Sequence, residues 1–171
     1  MSPCSIVTMR THPMTAPSSN PLLKGAAVLP KGEAFQAMIP RTDMDPLTAG
    51  PLDADETQLL NEGLHRFDTG QFWHAHESWE DLWNALKARE APNEEILLVQ
   101  GLIQTAAMLL HHQRKNAVGV RKQWAKLEPK LNGWSTAWGL DIATHLEVIE
   151  SYALDADTWQ QTASEHQMPR A

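Results

Sequence analysis

Residues 72–83 read Phe-Trp-His-Ala-His-Glu-Ser-Trp-Glu-Asp-Leu-Trp, and their periodicity decides the fold. Phe72, Ala75, Trp79, Leu82 and Leu86 recur at helical spacing and form one apolar stripe. The same turns carry three tryptophans, two histidines and three carboxylates. Imidazole and carboxylate groups are costly beside bulky aromatics unless they are paired or bound. The segment is therefore an amphipathic helix, predicted from about Gln71 to Arg89, and it holds either half of a site or half of a polar network.

The flanking sequence extends the helical pattern. Asp53 or Asp55 caps a first helix carrying Leu59, Leu60, Leu64 and Phe67, which ends before Gly70. Pro92 or Asn93 opens a third helix reaching about Lys115, and its centre, Ile96–Leu110, is apolar nearly all round, as a buried central helix must be. Asn116 starts a fourth helix with Val120, Trp124, Leu127 and Leu131 inward and Lys122, Lys126 and Lys130 on a solvated face. Gly133–Gly139 reads as a loop containing Trp134 and Trp138, and Asp141 caps a last helix bearing Ile142, Leu146, Ile149 and Tyr152. Valine and isoleucine never alternate as a strand requires. The expected fold is all-α, a single compact bundle of about five helices. Gly63, Gly70, Phe72, Ala75 and Trp79 give it a faint tetratricopeptide-like hairpin spacing, with too few units for a solenoid.

Seven prolines punctuate residues 1–50, and a segment so poor in apolar surface cannot offset its ordering entropy. It is read as a largely disordered leader with two apolar patches, Leu22–Leu29 and Phe35–Ile39, as candidates for docking. Met38 and Met44 are alternative starts. The helical domain is placed at 53–155, followed by a C-terminal tail at 156–171. The 171 residues carry 42% hydrophobic and 20% charged side chains, globular values, and a net charge of −7 argues against a nucleic-acid binder. Cys4 is the single cysteine, so no intrachain disulfide forms. No apolar run approaches the roughly 20 residues of a membrane helix, and no signal peptide is evident. The expectation is a cytoplasmic protein without a membrane or nucleic-acid partner.

His76 and Glu80 lie four apart and share a helix face, with Trp83 on the same stripe and Trp73 flanking it. His74, two residues from His76, lies about 200° around and cannot chelate with it. His76-Glu77-Ser78-Trp79-Glu80 resembles the metalloprotease His-Glu-x-x-His pattern with glutamate in place of the second histidine, so a third ligand must come from elsewhere. On the third helix Gln100, Gln104 and His111 superpose within about 40°. If the second and third helices are antiparallel neighbours, this second stripe faces the first. His76, Glu80 and His111 then either surround a divalent metal, with glutamines or water completing the shell, or form a metal-free hydrogen-bonded network. Apart from that candidate metal no cofactor is implied. No nucleophile elbow, phosphate-binding loop or dinucleotide fingerprint is present.

The run Leu64-x-x-Phe67-x-x-Gly70-x-Phe72-x-x-Ala75-His76-Glu77-x-x-Glu80-x-x-Trp83, followed by Gln100-Gly101-Leu102-Ile103-Gln104-x-Ala106-Ala107, His111 and Asn116, resembles the domain of unknown function 309 family over about residues 55–131. The resemblance implies a small all-helical domain without an established activity. The family's Ala-His-Glu-x-x-Glu motif falls on Ala75, His76, Glu77 and Glu80. The chain departs at His74, where the family has glutamate, and at Lys115, where it has glycine, a change expected to loosen the turn before the fourth helix.

Three functions fit these residues. The first is a binding module that holds a small molecule or protein partner against Trp73, His76, Glu77, Glu80, Trp83, Gln100, Gln104 and His111. The second is a metal-dependent hydrolase with Glu77 or Glu80 as base. The third is a structural protein whose polar groups fix helix register. The first is preferred.

Overall fold

Asp53 opens the helical body with a reciprocal cap. Its carboxylate accepts from the Glu56 backbone N–H (2.8 Å), and the Glu56 carboxylate accepts from the Asp53 N–H (3.0 Å). The computed structural model describes residues 46–171, and the leader's apolar patches and alternative starts lie outside them. Five helices follow: α1 (Ala54–Asp68), α2 (Phe72–Ala88), α3 (Asn93–Gln113), α4 (Ala117–Leu131) and α5 (Ile142–Leu154). Successive pairs from α1 to α4 make the main contacts, and α3, between α2 and α4, is the most buried helix.

The core follows the expected stripes. Phe72, Ala75, Trp79, Leu82 and Leu86 are buried on α2, as are Leu98, Leu102, Ala106 and Leu109 on α3. Trp79 is fully buried, and its indole N–H donates to the Leu60 carbonyl (3.3 Å). Gly63 makes this approach possible, because a Cβ there would lie 2.1 Å from Trp79 Nε1. Trp124, expected inward, is only half-buried.

The segment read as a plain loop contains a short antiparallel hairpin, β1 (Thr136–Ala137) and β2 (Leu140–Asp141). Two residues per strand are too few for alternation to register in sequence. Residues 156–171, expected as a tail, run back along the body through a 3₁₀ turn (Ala163–Glu165) and bury Ala163, His166 and Met168. Asp68 at the end of α1 fastens them, accepting from the Met168 N–H and from Arg170 Nη2, both at 2.7 Å.

Lys115 occupies the left-handed region (φ 54°), yet the turn between α3 and α4 closes with the Asn116 N–H on the His111 carbonyl (2.9 Å). The turn is therefore made, with strain carried by a side chain that disfavours it. Lys115→Gly is expected to stabilise the domain by about 0.5–1 kcal/mol, read as a raised urea midpoint at unchanged slope. An unchanged or lowered midpoint would refute the strain.

Candidate functional site

The apolar seam of α2 leaves one flank free, and Trp73, His76, Glu80, Trp83 and Lys87 fall along it at i, i+3, i+7, i+10 and i+14. Trp73 is 55% exposed, and its ring lies flat on the His76 imidazole, with centroids 5.5 Å apart and planes 6° apart. His76 Nδ1 sits 3.7 Å from Glu80 Oε2, close enough for attraction but too far for a hydrogen bond. Lys87 Nζ stands 3.3 Å above the centre of the Trp83 ring, a cation–π contact. His76 Nδ1 and Trp83 Nε1 are both covered and without a hydrogen-bond partner. Buried polar atoms of this kind are uncommon and call for a reason. Glu77 points away to solvent, where its carboxylate meets His74 Nδ1 (3.1 Å).

The α3 stripe is engaged elsewhere. Gln104 accepts from Lys130 Nζ (2.8 Å) on α4. The His111 ring packs against Gly119, where a Cβ would come within 2.5 Å, and its Nδ1 lies 3.3 Å from Asn116 Nδ2. Gln100 is half-buried. Among the described residues no hydrogen bond joins this stripe to α2, and no group of three or more His, Cys, Asp or Glu could hold a metal ion. The expected convergence of His76, Glu80 and His111 is thus corrected. The stripe on α3 was read correctly as polar, but its near neighbour is α4 rather than α2, since Gly101 and Gly119 let those two helices approach closely.

Residues 60–123 match the family model of DUF309, a domain of unknown function. The matched segment begins in α1 and ends in α4, so it contains the whole α2 flank and the α3 stripe. Comparisons with the curated proteins and with the solved structures return no match. Among the described residues no helix is long and apolar enough to cross a membrane.

A second polar cluster, largely C-terminal to the DUF309 segment, was not read from sequence. His112 Nε2 lies 2.7 Å from Asp155 Oδ2, both side chains buried, with the Tyr152 and Trp159 rings edge-on at 5.2 and 5.1 Å. Asp155 also accepts from the N–H groups of Gln160 (2.9 Å) and Gln161 (3.0 Å) and from the Thr158 hydroxyl (2.8 Å). Burial alone would raise its carboxyl, but these donors and His112 outweigh burial and hold it well below the carboxylate range. Nearby, the His145 and His166 rings lie 5.6 Å apart against Phe67. Burial pushes His145 down to about 3 and His166 down to about 4, and His166 lowers His145 further while Asp68 partly restores His166. The signal for His145 was present: it sits on the same face as Ile142, Ile149 and Tyr152.

Proposed function

We propose that the DUF309 segment is a binding module that receives a segment of a partner protein across the α2 flank. The observation that carries this reading is an exposed tryptophan, Trp73, stacked on His76, on a flank where two covered nitrogens, His76 Nδ1 and Trp83 Nε1, lack partners about two helical turns apart. Trp73 offers a flat aromatic face, and Glu80 supplies an anion about two turns further along the helix, a combination that suits a segment carrying arginines. The flank runs along the length of a helix, a shape that suits an extended protein segment. A hydrolytic role lacks support, because His76 and Glu80 find no third ligand among the described residues.

A blocked tetra-arginine peptide serves as the probe. Trp73→Ala and Glu80→Gln are each expected to weaken its binding by about tenfold, the scale of a desolvated cation–π or charge contact. Both positions are exposed, so urea stability should stay within about 0.5 kcal/mol of the parent. Unchanged affinity in both variants would overturn the reading. A large stability loss in both would assign the flank a structural role instead.

A further inference from the structure

The positive charge of this acidic chain is concentrated in one place. Residues 114–130 hold Arg114, Lys115, Arg121, Lys122, Lys126 and Lys130 against a single carboxylate, Glu128. Arg121 is paired with Asp157. Lys122, Lys126 and Lys130 have no carboxylate within salt-bridge distance among the described residues, although they recur every four positions on α4. That spacing sets ammonium groups about 6 Å apart over about 12 Å of helix. The end of the row meets α3, where Lys130 bonds Gln104 and also donates to the Lys126 carbonyl (3.1 Å), and Gly119 of α4 lies against His111. Burial lowers the Lys130 amine, and the neighbouring Lys126 charge lowers it further.

We propose that the lysine row of α4 binds a short carboxylate-rich helical segment of another protein, with Lys122, Lys126 and Lys130 each meeting one carboxylate. A helix with glutamates at i, i+4 and i+8 matches the row in both spacing and sign. The size of the row also selects against nucleic acid. A longer polyanion would leave the three lysines within about two turns of α4, on a chain whose net charge is −7. Gln104, bonded to Lys130, and His111, packed on Gly119, add hydrogen-bonding groups on the adjoining helix. This surface is separate from the α2 flank, so either can fail without the other.

The test uses the full chain, ¹⁵N-labelled, titrated with a blocked alanine-based peptide carrying three glutamates four residues apart. The expected result is a localised shift of the amides of Lys122, Lys126 and Lys130. The shift should be lost in about 1 M salt, where screening acts over about 3 Å, and lost when the peptide glutamates are replaced by glutamine. Lys122→Glu with Lys126→Glu, both exposed, should weaken binding about tenfold by reversing two contacts. Lys130 is left intact because it ties α4 to α3. Absence of shifts, or equal binding by the double variant, overturns the proposal. So does tighter binding of a single-stranded oligonucleotide of equal charge, or the same shifts on concentrating the protein alone, which would place a second copy on the lysine row.

Discussion

Acidification from about pH 7 to about pH 5 is expected to remove about 4 kcal/mol of folding stability through His145 and His166 alone. Both imidazoles are buried, with His145 Nδ1 and His166 Nε2 unpartnered, and both titrate in the folded protein far below the usual value of 6.5. The unfolded chain therefore takes up two protons as pH falls through about 6.5, and the folded chain takes up neither until about pH 4. Their contribution is complete above about 6.5 and declines as pH falls from there, by about 2.7 kcal/mol per unit at the steepest. Natural domains hold about 5–15 kcal/mol in total, so the effect is large. Asp155 does not account for it, since its low-lying carboxyl keeps its contribution until much stronger acid. Urea titrations at several pH values measure the slope. His145→Leu should halve it, because Thr105 keeps its bond to the Gly101 carbonyl (3.0 Å) and loses only a 3.4 Å contact. An unchanged slope in that variant would contradict the assignment.

Arg89→Met is expected to cost about 3 kcal/mol, at the lower end for breaking a buried ion pair because the guanidinium itself is partly exposed. Arg89 Nε lies 2.5 Å from Glu56 Oε1, and Nη2 lies 3.8 Å from Glu95 Oε2. Both carboxylates are buried, and Glu95 Oε1 also accepts from the Gly50 N–H (2.6 Å). One cation thus holds two carboxylates at the junction of α1, α2 and α3. Removing it leaves both uncompensated, so adding Glu95→Gln to Arg89→Met should recover part of the loss. A urea-derived stability for Arg89→Met within about 0.5 kcal/mol of the parent would mean that solvent already screens the arrangement.

Helix positions were legible because local signals agree with burial. Asp53, Asn116 and Asp141 are all caps whose carboxylate or amide oxygen accepts from the backbone N–H three residues on, and the stripe through Trp79 is the core. The α2 half of the site was legible for the same reason, since His76, Glu80 and Trp83 need only one helix to be related. Placing the α3 half required knowing which side of α3 each neighbour covers. Gln104 and His111 obey the right periodicity and still face α4, because the close approach is set by Gly119 against His111 and by Gly101 against Leu131, a partner on the next helix that no single-helix pattern reveals. The clusters around Asp155 and Arg89 were hidden by distance along the chain: His112 meets a residue 43 positions away, and Arg89 meets Glu56 across 33. Lys130 looked like part of a solvated face because its spacing matches Lys122 and Lys126, but its position at the end of the row brings it over Gln104.

The placement of function on the α2 flank is tested most directly by the indole N–H resonances of the seven tryptophans during titration with the blocked tetra-arginine peptide. Trp73 and Trp83 should shift together and saturably, while Trp79 and Trp134, buried in the core, should not move. Shifts confined to other tryptophans, or the same shifts persisting in Glu80→Gln at unchanged affinity, would contradict it.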